Sequence, residues 1–186
     1  MIGPRRIVCL TEEPTETLYA LGEQQRIVGI SGFTVRPAAA RREKPKVSAF
    51  TSAKIGEILA LKPDFVIGFS DIQADIASAL IKQGVEVWIS NHRSVDGILD
   101  YVLRLGALVG AADKARAYAD RLRMNLDAVA AHKAANMPVL ARYAREGYAI
   151  LSAVPSCTLM FKQELPLMFP GCADTRAVEE AMFDPF

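Results

Sequence analysis

Short apolar runs alternate with longer segments in which apolar residues return at helical spacing. The runs are RIVCL (6–10), RIVGIS (26–31), VSAF (47–50), DFVIGF (64–69) and VEVWIS (85–90). Each has strand length, and their near-continuous hydrophobicity is that of strands covered on both faces. Between them, TEEPTETLYALG places Pro14 near a helix start, Leu18 and Leu21 on one face and Gly22 as the stop. AKIGEILALK follows Ser52, a candidate cap, and is ended by Pro63. Ser70 and Gln73 fit a capping box that opens the helix DIQADIASALIKQG directly after Phe69, and SVDGILDYVLRLGALVG (94–110) reads as another helix. GFTVRPAAARREKPK (32–46), with two prolines and five basic residues, is expected to be an irregular surface excursion. Parallel strands need crossover connections, so this alternation predicts an α/β fold, a Rossmann-like parallel sheet flanked by helices.

Residues 113–135 contain neither glycine nor proline and keep a helical apolar period, which predicts one long spine helix of about 35 Å. Beyond it the pattern predicts a helix over 137–147 opened by Pro138, a strand over 148–154, a helix over 156–169 interrupted by Pro166, and a last helix from 174 onward. The expected layout is an N-terminal lobe over 1–112, the spine over 113–135, and a small αβα extension over 136–186.

Composition narrows the classes. The 186 residues suffice for a real core, and no apolar run is long enough to span a bilayer. Twenty-two basic and 21 acidic residues leave a net charge of +1, which gives no electrostatic reason to expect nucleic acid or an anionic membrane. MIGPRRIVCL lacks the apolar stretch of a signal peptide, so the chain as written is expected to stay in the cytoplasm. Three scattered cysteines and two histidines predict neither a disulfide framework nor a metal site.

In an open α/β sheet, ligands gather beyond the carboxyl ends of the strands. The turns there carry Thr11 and Glu12, Phe33 and Arg36, Phe50 and Thr51, Phe69 and Ser70, and Asn91 and Arg93. No glycine-rich phosphate loop or nucleophile elbow follows any strand, and neither histidine has an evident nucleophilic partner, so no catalytic residue is assigned. A rim of flat and aromatic side chains would suit a large, partly apolar ligand. The alternative is that Phe50 and Phe69 only plug the end of the core.

RIVCLTEEPTETLYALG, RIVGIS, KVSAFTSAKIGEILALKPDFVIGFSD and LIKQGVEVWISNHRSVDGIL, in that order, resemble the N-terminal lobe of the cobalamin and iron-siderophore binding proteins of ABC importers. The resemblance covers about residues 5–132. It implies lobes joined by a rigid helix, a ligand (cobalamin or a ferric siderophore) bound without catalysis or required cofactor, a periplasmic setting and an importer permease as partner. The aromatic cleft positions of corrinoid binders correspond to Arg36, Phe50 and Phe69, the first changed to a cation. Where the family carries a glutamate that docks on the permease, this chain has Gly56 with Glu57 beside it. With that resemblance, Phe69 is expected to face a ligand.

The segment NMPVLARYAREGYAILSAVPSCTLMFKQELPLMFP, together with AVEEAMFDPF, resembles instead the tail of a cysteine-rich, heterodisulfide reductase-like iron–sulfur domain, which makes the chain look chimeric with a join near 131–137. Val154 stands for the first cysteine of its C-x-x-C pair and Cys157 for the second; one thiolate cannot hold a cluster that takes about four. Cys157 is therefore expected to be an ordinary buried thiol. The alternatives to solute binding are a folded chain without activity, self-associated through exposed aromatics into a homo-oligomer, and a redox-subunit remnant. His92 is expected to cap a turn in solvent and His132 to lie on an exposed helix face.

Overall fold

The computed structural model describes residues 3–152 and 158–183; Cys157 lies outside them. The chain divides into two compact units at Leu122/Arg123.

The first unit is built on a five-stranded sheet. Its strands are β1 (Ile7–Cys9), β2 (Ile27–Ser31), β3 (Lys46–Ser48), β4 (Phe65–Phe69) and β5 (Val87–Ser90). All neighbours pair in parallel, in the order β3-β2-β1-β4-β5. The helices are α1 (Glu12–Ala20), α2 (Ala38–Glu43), α3 (Ile55–Ala60), α4 (Ala74–Lys82) and α5 (Val95–Leu108). Side chains alternate across the sheet and both faces are covered. Ile7 and Cys9 enter one core with Phe65, Ile67, Leu18, Tyr101 and Leu105, while Val8 and Leu10 enter another with Val66, Ile58, Ile76 and Leu80. Double coverage is why the strands read as unbroken apolar runs.

Several local expectations change. The excursion 32–46 contains α2, which buries Ala40 and so gains a packing face that proline and charge content obscure. Ser52 is no cap: α3 begins after Lys54, because Ala53 still bridges back to Ser48 in antiparallel fashion. Ser70 and Gln73 make no capping box, and a 3₁₀ turn (Asp71–Gln73) precedes α4. The helix at 94–110 begins as expected, with the Ser94 hydroxyl accepting from Gly97 N–H at 3.0 Å.

The spine is longer than its pattern predicts. Helix α6 (Ala112–Arg145) has 34 residues, roughly 50 Å, and Pro138 lies inside it instead of opening a new helix. Proline lacks one intrahelical donor, but Met137 and Ala141 beside it are buried, and that packing holds the helix together. In the second unit, Met137, Ala141, Leu165, Val178 and Met182 form a small core. The described residues place only Ile150–Leu151 (β6) in the expected strand, paired in parallel with Met182–Phe183 (β7), where the last helix was expected to continue. A π-helical stretch (Met160–Glu164) leads into α7 (Leu165–Met168), which carries Pro166 in its first turn without interruption, and α8 spans Ala173–Ala181.

Candidate functional site

The strand order sets the site. The chain leaves β1 for β2 and β3 on one side and returns to place β4 on the other, so the topological switch point, where ligands of open α/β sheets gather, lies between the carboxyl ends of β1 and β4. Leu10 and Thr11 follow β1, and Phe69 closes β4.

Gln73, fully buried, ties these ends together. Its Oε1 accepts from Phe69 N–H at 2.9 Å. Its Nε2 donates to the carbonyl of Phe50 at 2.9 Å and towards that of Leu10 at 3.4 Å. Phe50 is 41% exposed, whereas Phe69 is half-buried.

Phe69 is flanked by two polar neighbours. The His92 ring lies 4.9 Å away, centroid to centroid, and the Arg93 guanidinium sits over the phenyl at 5.4 Å. Arg93 Nη2 also donates to the Ser70 hydroxyl at 3.1 Å and pairs with Asp71 at 3.3 Å, while that hydroxyl donates to Asp71 at 2.6 Å. The Ser70 hydroxyl, the Asp71 backbone and Arg93 hold the Asp71 carboxyl below its usual range. Ser70 has φ +68° and ψ 168°, a region that only glycine adopts freely. It is kept there by its N–H to Ser90 carbonyl bond at 2.7 Å, by the Gln73 N–H donating to its carbonyl at 3.2 Å, and by full burial. Backbone strain held this firmly at a strand end is typical of functional turns.

His92 is not a solvent cap. Its ring lies tilted against both Phe69 and Tyr101, the latter at 5.2 Å between centroids, and Nδ1 lies 2.7 Å from the Ser90 hydroxyl. Gly97 makes this approach possible, since a Cβ there would stand 2.9 Å from His92 Cβ. Burial lowers the His92 pKa, with Glu13 opposing and Arg93 reinforcing the shift. The neutral imidazole is thus the resting form at pH 7.

Glu12 organises the loop after β2: its Oε1 accepts from Arg36 N–H at 2.9 Å and Val35 N–H at 3.2 Å. The Arg36 side chain remains exposed, with Glu16 at 3.4 Å. Phe33 and Thr51 are exposed. Thr11 is buried, and its hydroxyl has no hydrogen-bond partner among the described residues.

The structure therefore gathers Phe69, Ser70 and Arg93 in one cluster, joins Glu12 to Arg36 in a second, and links Phe50 to the first through Gln73. Asn91 borders two surface cavities. One, of about 380 Å³, is lined with Trp88, His92, Asp100, Tyr101 and Arg104; the other, of about 550 Å³, lies against Ser70, Asp71 and α4. Sequence reasoning missed Gln73 as a tie, and missed Asp71, His92 and Tyr101. The Ser90-x-His92 spacing directly after a strand was the available signal for His92. Among the described residues, no group of three or more His, Cys, Asp or Glu could hold a metal ion, and no helix is long and apolar enough to cross a membrane.

The chain belongs to the periplasmic binding protein family, whose model matches residues 7–159 and so runs across the expected join at 131–137. A cobalamin-binding protein of Halobacterium salinarum is 26% identical over 129 residues, covering 68% of this chain and 35% of that protein. A vitamin B12-binding protein of Vibrio cholerae serotype O1 is 27% identical over 135 residues, 72% of this chain and 49% of that protein. Among solved structures, a possible iron-binding (periplasmic solute-binding) protein from Staphylococcus epidermidis superposes with a TM-score of 0.63 at 25% identity, covering 68% of this chain and 50% of that one. The chain spans half or less of the length of these relatives.

Proposed function

We propose that the first unit is a solute-binding lobe of ABC-importer type that takes a cobalt corrinoid or a ferric siderophore at the carboxyl edge of its sheet, without catalysis. The observation that carries this reading is the pair Phe50 and Phe69, whose main chains are held on one side-chain amide at the switch point, with Arg93 over the Phe69 ring. Aromatic faces offer contact area at small entropic cost, and guanidinium groups can meet amide or carboxylate groups at a ligand's periphery. The names of the cobalamin- and vitamin B12-binding relatives support the ligand class. One lobe covers one face of such a ligand, so its affinity is expected to be modest.

A permease is the partner this reading implies. Glu57 is exposed and already paired with Lys54 at 3.0 Å, so it offers at most a weakened docking charge.

The test is a titration of the folded chain with cyanocobalamin and with a ferric siderophore, following the single tryptophan, Trp88. Trp88 touches Tyr101 at 5.2 Å between ring centroids, and the stack continues through His92 to Phe69. A saturable change with either ligand supports the proposal; a folded protein that responds to neither rejects it.

A further inference from the structure

We infer that Gln73 is a positioning residue, one whose carboxamide sets the spacing of Phe50 and Phe69 and so the width of the ligand-facing rim. The inference rests on the ligand reading for its purpose, but on geometry alone for its mechanism.

Three strand-end segments meet at this one side chain. The amide oxygen takes the N–H of Phe69, and the amide nitrogen serves the carbonyls of Phe50 and Leu10. These main-chain groups lie at or just past the ends of β4, β3 and β1; the Leu10 N–H already bonds the Ile67 carbonyl of β4 at 2.8 Å, so what the amide adds is the tie from Phe50 to the other two. The side chain is fully buried, so the Phe69 N–H and the Phe50 carbonyl would each lose a partner without it, whereas the Leu10 carbonyl would keep the Ser48 hydroxyl at 3.4 Å. Gly68 is shaped around it: a Cβ there would stand 2.5 Å from Gln73 Oε1, besides meeting Ile89 Cδ1 and Leu10 Cδ1 at 2.8 and 3.2 Å. No other residue type both donates and accepts across this gap with the same reach, for asparagine is one methylene shorter and glutamate in its charged form cannot donate. The positions of the two rings are therefore coupled through a group that bonds to their main chains.

The test uses the full chain labelled with 4-fluorophenylalanine, with the Phe50 and Phe69 signals identified from Phe50→Leu and Phe69→Leu variants. In the wild type, the Phe69 amide hydrogen should exchange slowly; exchange as fast as an exposed loop amide would overturn the inference before any variant is made. Gln73→Met fills nearly the same space without the amide, and should move both fluorine signals. Gln73→Glu separates bonding from packing. Its protonated carboxyl can still donate to Phe50 and accept from Phe69, so both signals should approach their wild-type positions in acid and depart as the pH rises. The wild-type series is subtracted, because His92, Arg93 and Asp71 lie near Phe69 and Glu13 faces His92. A residue that merely fills space would leave Gln73→Met unshifted and Gln73→Glu independent of pH; either result overturns the inference. Should Gln73→Met fail to fold, the Gln73→Glu series and the wild-type exchange rate still decide.

Binding supplies the second arm. If the wild type takes up neither cyanocobalamin nor a ferric siderophore, the ligand reading falls and the positioning role is judged on the fluorine signals alone. If it binds one, Gln73→Met should weaken that binding about tenfold, the size of one or two lost hydrogen bonds. Unchanged affinity in a folded variant would contradict the assigned role.

Discussion

His92 shows how local packing sets a charge. Burial against Phe69 and Tyr101 disfavours the imidazolium, and its pKa falls below the ordinary value of 6.5. The unfolded chain then takes up its proton first as pH drops, so His92 costs stability on the acid side. The loss begins near pH 6.5 and grows until the folded-state pKa is reached. Proton NMR of the His92 ring should give a midpoint below 6.5, and His92→Gln should flatten the stability profile between neutral pH and mild acid. The cysteines offer a second contrast. Complete burial pushes Cys9 up to about 12. Cys172 is drawn down to about 7 by Thr175, one turn into the helix that follows it, with Lys133 Nζ 3.1 Å from its sulfur. An aromatic disulfide reagent at neutral pH should modify Cys172 in the native protein and Cys9 only after unfolding; Lys133→Met should slow the Cys172 reaction.

Elements pack where small residues let them. In α5, a Cβ at Gly106 would stand 2.1 Å from Ala115 Cβ on α6, so the two helices touch there through the absence of a side chain. Gly106→Ala is expected to destabilise the first unit by about 1–3 kcal/mol in chemical denaturation, despite alanine's better helix propensity. The strands and α1, α4 and α5 were legible because their apolar periods match the faces they bury. Features decided by tertiary contacts were not. α2 hides in a basic, proline-bounded segment because only Ala40 betrays its buried face. Pro138 reads as a helix start, yet packing around Met137 and Ala141 carries α6 past it. At the site, the sequence showed which turns share one edge, since the alternation makes the strands parallel, but neither the strand order nor what holds the turns. Ser70 and Gln73 looked like a cap because their spacing fits one. The buried amide instead serves three separate segments, a demand that only the folded sheet creates.

At the scale of the molecule, the near-neutral charge hides a patterned rim. Two cations there have a carboxylate beside them: Arg36 has Glu12 and Glu16, and Arg93 has Asp71. Such pairs are exposed and weak in water, so a ligand group can replace one partner at small cost. The family match to residue 159 and the five-stranded parallel sheet place the chain among periplasmic binding proteins; its ligand is what the rim must answer for. The most direct measurement compares calorimetric titrations of wild type and of the Phe50→Ala, Phe69→Ala double variant with cyanocobalamin and with a ferric siderophore. The account predicts saturable heat for one of these ligands with the wild type, and its loss in a double variant that remains folded. Equal binding by both proteins would show that the two rings do not form the site.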